Sequence, residues 1–104
     1  MKCKRRVREL GTRSIQSYLM WLVEEHDGVA EHFTTPGKIG PPDLLITWPR
    51  RGRAADIHFV ETKTVGGVLK PWQKRDHARR RKMGCTVVVL WTEEQCLIYA
   101  NRHG

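Results

Sequence analysis

The chain has 104 residues, a length that suits one small domain built around a single hydrophobic core. Nineteen lysines and arginines stand against 11 aspartates and glutamates, so the formal net charge is +8. This surplus favours a polyanionic partner, and nucleic acid is favoured over membrane because no apolar run approaches the roughly 20 residues of a membrane span. No signal-peptide pattern opens the chain. We therefore expect one domain over residues 1–104.

The three cysteines argue against a structural zinc site or a disulfide framework. They are odd in number, widely spaced and contain no Cys-x-x-Cys pair. Reduced thiols in a cytoplasmic setting follow as the expectation. Cys85 and Cys96 are predicted to be small core residues.

The first predicted elements are a basic arm and an amphipathic helix. Residues 1–11 form either a frayed tail or a nucleic-acid-binding arm, with Lys4, Arg5 and Arg6 as the candidate contacts. Residues 12–26 are predicted to be helical, since apolar positions recur at helical spacing. Thr12 or Ser14 can cap the start and Gly28 can end it. The apolar stripe consists of Ile15, Tyr18, Leu19, Leu22 and Val23.

Three strands and two loops are predicted next. Residues 29–33 alternate in polarity, as a strand does. A loop rich in glycine and proline follows, carries Lys38 and ends on Asp43. Residues 44–48 and 56–63 are β-branched and aromatic runs separated by a turn, which predicts a hairpin.

The remaining elements complete an α-β-β-β-α-β-α order. After a connection over residues 64–69, Pro71 suits the first turn of a helix predicted to span about 71–83. Residues 86–91 are continuously apolar, which predicts a strand buried on both faces and parallel to strand 56–63. Thr92 begins a capping box and a helix of about 93–101. The second helix and its start carry the candidate phosphate contacts Lys70, Lys74, Arg75, Arg79, Arg80 and Arg81.

The hairpin predicts a site at one end of the sheet. Asp43 precedes its first strand, and antiparallel pairing brings Asp43 to the end of the second strand, where Glu61 and Lys63 lie. Glu61 and Lys63 are two residues apart, so they point to one face, roughly 6–7 Å from each other. Two carboxylates on a rigid scaffold suit Mg²⁺, and an adjacent lysine can orient a water and offset negative charge.

Structural roles for the same residues stay open at this point. Asp43 can be a loop-capping residue, and Glu61 with Lys63 can be a surface pair. Gln73 and His77, one helical turn apart, can be a plain polar helix face. We expect His32 and His58 to be structural or solvated. We expect four aromatic residues to lie in the core rather than to stack on bases: Tyr18, Trp21, Trp72 and Trp91.

Four motifs over residues 12–100 resemble the VRR-NUC branch of the PD-(D/E)xK nucleases. They are Ile15-Gln16-x-x-Leu19, Thr35-Pro36-Gly37-Lys38-Ile39-Gly40-Pro41-Pro42-Asp43, Phe59-Val60-Glu61-Thr62-Lys63 and Leu69-Lys70-Pro71-Trp72-Gln73. The resemblance implies a restriction-endonuclease-like α/β fold, a mixed sheet flanked by helices. It also implies a phage or bacterial DNA endonuclease that is Mg²⁺-dependent, with Mn²⁺ as substitute, and that acts as a homodimer on branched or duplex DNA.

The resemblance also assigns roles. Asp43, Glu61 and the backbone carbonyl of Thr62 would hold the metal, while Lys63 and Gln73 would complete the catalytic set. Family members carry a glutamate at the start of the first helix, where this chain has Thr12. Glu9, one turn further upstream, is a further candidate ligand, and Gln16 is another candidate for that corner of the site. This departure keeps a catalytically inactive nucleic-acid-binding module open as the alternative.

Overall fold

The structure is a computed structural model that describes residues 14–37, 40–64 and 66–104. In order, it contains α1 (Ile15–Glu25), β1 (Val29–His32), β2 (Leu44–Trp48), β3 (Asp56–Thr62), α2 (Pro71–Lys82), β4 (Thr86–Leu90) and α3 (Glu93–His103). The predicted element order is confirmed over these residues. The last strand is one residue shorter than predicted and the last helix two residues longer. The basic arm, Glu9, Thr12 and Lys38 lie outside the described residues.

The four strands form one mixed sheet in the order β1-β2-β3-β4. β1, β2 and β3 pair antiparallel, and β3 pairs parallel with β4, as the intervening helix predicts. Arg50 and Arg53 hold Asp56 at 2.8 and 3.0 Å across the β2–β3 turn. This clamp supports the register in which Leu44 faces Val60.

The main core lies between one face of the sheet and helices α1 and α3. Every second residue of β2 is fully buried there, and α1 and α3 supply the covering side chains. Its fully buried members are Leu19, Val23, Leu44, Ile46, Trp48, Val60, Cys96 and Ala100. Cys96 is thus in the core as predicted, whereas Cys85 is only half-buried.

A buried polar network ties α3 to the centre of the hairpin. Trp48 Nε1 donates to the Tyr99 hydroxyl at 3.1 Å, and that hydroxyl lies 2.7 Å from His58 Nδ1. The hydroxyl accepts from the indole, and its bond with His58 Nδ1 runs in the direction that the tautomer of the ring sets. Burial, and then the neighbouring His103, lower the pKa of His58, so the ring stays neutral near pH 7.

Replacing Tyr99 with phenylalanine should lower the free energy of unfolding by about 2–6 kcal/mol. The variant leaves the indole N–H of Trp48 and Nδ1 of His58 buried without partners, at about 1–3 kcal/mol each. Urea unfolding followed by circular dichroism measures this loss. Ile98→Ala, on an exposed position of the same helix, is the control and should change stability little. Equal urea midpoints for Tyr99→Phe and the wild type would contradict the prediction.

Among the described residues, no helix combines the length and apolar character needed to span a lipid bilayer.

Candidate metal and nucleic-acid site

The end of the β2–β3 hairpin brings Asp43, Glu61 and Lys63 together. The register that pairs Leu44 with Val60 sets Asp43 opposite Glu61 on the face away from the main core. Asp43 Oδ2 accepts from the backbone N–H of Thr62 at 3.5 Å, and Lys63 Nζ lies 3.6 Å from Glu61 Oε2. The backbone of Asp43 is anchored in turn, because its carbonyl accepts from Phe33 N–H at 2.8 Å. The sequence prediction that these three residues converge therefore agrees with their placement.

The side-chain carboxylate of Glu61 is almost completely buried. Its side chain is only 2% exposed, and burial followed by the nearby Asp43 carboxylate raises its pKa to about 7, with Lys63 acting in the opposite direction. One oxygen, Oε1, has no hydrogen-bond partner among the described residues. A buried carboxylate is costly unless a cation or donors compensate it. The site therefore has the electrostatic character of a place for a positive ion.

Helix α2 covers Glu61 with two polar side chains. Gln73 Nε2 donates to Glu61 Oε2 at 3.4 Å, while Gln73 Oε1 accepts from Lys70 N–H at 2.8 Å. This second bond fixes the orientation of the amide. The resemblance gives Gln73 a place in the catalytic set with Lys63, and the structure places its amide on the carboxylate that Lys63 also approaches.

His77 lies deeper in the site than the sequence indicated. It is 1% exposed, and its Nε2 is 3.9 Å from Glu61 Oε1. Burial, and then Arg81, lower its pKa, so it is a neutral neighbour of the carboxylate. The four-residue spacing from Gln73 was the available signal, since it places both side chains on one helix face. Of the other histidines weighed, His32 is exposed and His58 belongs to the opposite face of the sheet.

The donor set fits a hard divalent cation better than a zinc ion. Within the described ranges no group of three or more His, Cys, Asp or Glu side chains could hold a metal ion, so a closed zinc centre is not built here. Asp43 and Glu61 offer two carboxylates, and Mg²⁺ is commonly bound by one or two carboxylates with waters completing its shell. The unpartnered Oε1 of Glu61 is the observation that supports this fit.

The basic residues of α2 divide into exposed and inward-facing groups. Arg80 is turned inward: it bonds Asp76 Oδ2 at 2.7 Å and stacks over Phe59 and Phe33 at 4.7 and 5.4 Å. It therefore braces α2 against the sheet instead of lying on the open basic face. The exposed residues among the predicted phosphate contacts are Lys70, Lys74, Arg75, Arg79 and Arg81. Among them, Arg79 also pairs with Asp76 at 3.2 Å and Arg81 bonds the Val87 carbonyl at 3.0 Å.

The prediction that Trp72 lies in the core is wrong. Its side chain is 40% exposed at the second position of α2. Tyr18 is buried as expected, and Trp21 and Trp91 are half-buried.

The loop that ends on Asp43 packs tightly on α2 at Gly40. Gly40 has φ +105°, and a Cβ there would lie 2.9 Å from the Trp72 carbonyl oxygen and 3.3 Å from Asp76 Cβ. Only glycine combines this backbone conformation with so close an approach. The contact sets the distance between α2 and the segment that carries Asp43.

Gly40→Ala should therefore destabilise the protein more than Gly37→Ala does. Both glycines have positive φ, but a Cβ at Gly37 meets nothing within 4 Å, so that variant carries only the backbone penalty of about 1–2 kcal/mol. We expect Gly40→Ala to lose roughly a further 1–3 kcal/mol through crowding and to weaken Mn²⁺ binding. Urea unfolding and calorimetric titration of both variants provide the comparison. Identical losses would show that the Gly40 contact does not hold the loop.

No family model matches the sequence. The chain is 37% identical over 81 residues to the protein named "Putative nuclease p44" from Acyrthosiphon pisum secondary endosymbiont phage 1, covering 78% of this chain and 83% of that protein. A solved structure described as a VRR_NUC domain superposes with a TM-score of 0.74 at 31% identity, over 86% of this chain and 94% of that one. Similarity of sequence and fold thus extends over most of both relatives.

Proposed function

The chain belongs to the VRR-NUC family, and from this premise we propose that it is a divalent-metal-dependent DNA endonuclease. The observation that carries the proposal is the meeting of Asp43, Glu61 and Lys63 at the sheet end, with Glu61 buried and its pKa raised. Perturbed carboxylates with a specific charge partner are typical of functional sites. The reaction would be hydrolysis of a phosphodiester at the P–O3′ bond, which leaves a 5′-phosphate.

Asp43 and Glu61, joined by the Thr62 carbonyl, would hold Mg²⁺, with Mn²⁺ as substitute. When bound, such an ion acidifies a water and stabilises negative charge on the phosphate. Lys63 would orient the attacking water and offset charge that develops on the phosphate oxygens. Gln73 would keep the Glu61 carboxylate in one orientation, because its own amide is fixed by Lys70 N–H. His77 would exclude bulk water from the buried side of Glu61.

The exposed basic residues of α2 would bind the DNA backbone. The basic arm with Lys4, Arg5 and Arg6, together with Lys38, would extend this contact. Six phosphate contacts would give log K a slope of about −5 against log salt. In line with the family resemblance, we propose that the enzyme acts as a homodimer on branched DNA during phage or bacterial replication or repair.

The direct test is cleavage of duplex, flap, single-stranded and four-way DNA with Mg²⁺ or Mn²⁺. We expect products with 5′-phosphates, no cleavage in EDTA and no cleavage by Asp43→Asn with either ion. Cleavage that persists in Asp43→Asn, or that needs no metal, would refute the proposed site.

A nucleic-acid-binding module without cleavage is the second candidate. It is favoured by one observation: the described part of the chain supplies two carboxylates at the site and no group of three metal-binding side chains. Calorimetric titration with Mn²⁺ separates the two functions. Salt-dependent DNA binding without any metal binding would select the second candidate.

A further inference from the structure

Trp72 presents an aromatic surface beside the candidate site instead of burying it. It is 40% exposed, whereas Trp48 in the core is fully buried. An exposed tryptophan forgoes much of the burial that this side chain can contribute. The ring belongs to the residue next to Gln73, whose amide contacts Glu61 at 3.4 Å. The ring therefore begins one residue away from the side chain that contacts the Glu61 carboxylate.

Three features of the structure restrain the backbone that carries this ring. Pro71 fixes the first helical φ angle, and the Trp72 carbonyl packs against Gly40. The preceding segment is tied down because Trp91 Nε1 donates to the Gly67 carbonyl at 3.0 Å. With the backbone restrained, only the two χ angles of the ring have to be ordered when a ligand packs on it, so the ring suits a stacking surface.

The charge around Trp72 selects the kind of ligand. Lys70, Lys74 and Arg75 flank it and are exposed. The acidic side chain on the same helix, Asp76, is 8% exposed and forms ion pairs with Arg79 and Arg80. An aromatic face within a cationic surround is the combination that binds single-stranded nucleic acid, because phosphates meet the charges and a base meets the ring. A base inside an intact duplex has its faces covered by its neighbours and cannot use this surface.

We propose that Trp72 stacks on an unpaired nucleobase adjacent to the scissile phosphate and thereby selects DNA with unpaired nucleotides at the site. This inference rests on the proposed function, since it takes DNA as the ligand of the carboxylate site. It adds the feature of the DNA that the enzyme recognises, which is an extruded or single-stranded base next to the cleavage position.

Binding in EDTA tests the inference separately from catalysis. Fluorescence anisotropy would measure the affinity of wild type, Trp72→Ala and Trp72→Phe for a labelled single-stranded oligonucleotide and for a blunt duplex. Trp72→Ala should weaken single-strand binding about tenfold or more and duplex binding less than about twofold. Trp72→Phe, which keeps an aromatic face, should retain most of the affinity. Ile98→Ala, exposed on α3, should leave both affinities unchanged.

A second readout reports the stacking itself. The single-stranded oligonucleotide should quench the tryptophan fluorescence of the wild type but not the remaining fluorescence of Trp72→Phe. Equal losses on single strand and duplex, or unchanged single-strand binding by Trp72→Ala, would overturn the inference. If the wild type still cleaves DNA in that case, the stacking role fails alone. If the wild type binds neither DNA, the proposed function fails and the inference fails with it.

Discussion

Replacing Lys63 with methionine should lower the rate of DNA cleavage by about 10³-fold while DNA binding changes little. Lys63 Nζ lies 3.6 Å from Glu61 Oε2, where its ammonium can hold the attacking water and meet charge on the phosphate. Removing one such group typically costs about 10²–10⁴-fold in rate. Methionine keeps all but one heavy atom of the side-chain length, so the loss would report the charge and not a cavity.

Single-turnover cleavage with saturating protein and Mg²⁺ isolates this effect from binding. Lys74→Met is the matched control, because Lys74 is exposed on α2 and would contact only a phosphate. That variant should need more protein to saturate and then cleave at the wild-type rate, with a salt slope shallower by about 1. A Lys63→Met enzyme that cleaves as fast as the wild type would remove Lys63 from the reaction.

The convergence of the three site residues could be predicted because it follows from local sequence. The β-branched and aromatic runs over residues 44–48 and 56–63, separated by a turn, predict an antiparallel hairpin, which brings the start of β2 to the end of β3. Asp43 and Glu61 therefore had to meet once the hairpin was recognised. The parallel placement of β4 followed in the same way from one intervening helix.

Side-chain placement on α2 could not be predicted in the same way. The helix is so polar that no apolar stripe marks its inner face, and the inward positions are Asp76, His77 and Arg80. Arg80 is held by Asp76 and by rings that come from β3 and from Phe33. The contacts with the two rings are long-range, so sequence spacing gave no sign of them, whereas the Asp76–Arg80 pair is an i, i+4 contact within the helix. The exposure of Trp72 has the same origin, because the inner face of α2 is taken by these polar residues.

Glu61→Gln should make the metal-free protein more stable at pH 8 and leave its stability unchanged near pH 4. Burial, and then the neighbouring Asp43 carboxylate, raise the pKa of Glu61 from 4.5 in the unfolded chain to about 7. Below pH 4.5 the group is protonated in both states and imposes no penalty. The penalty grows as the pH rises from 4.5 towards 7, because the unfolded chain ionises first, and it is complete above 7. The gain on neutralising the side chain is up to about 3 kcal/mol.

Urea unfolding of both proteins in EDTA, from pH 4 to pH 8, measures this gain. Asp56→Asn serves as the control of opposite sign, since Arg53 and Arg50 hold the pKa of Asp56 well below its usual range and its loss should lower stability at pH 8.

The same Glu61→Gln protein should lose cleavage and should no longer be stabilised by Mn²⁺, whereas Mn²⁺ should raise the stability of the wild type. A carboxylate that costs stability in the metal-free protein and is required for metal binding is one retained for function. If Glu61→Gln were less stable than the wild type at pH 8 in EDTA, the carboxylate would be a structural ion-pair partner of Lys63, and the metal site built on it would be refuted.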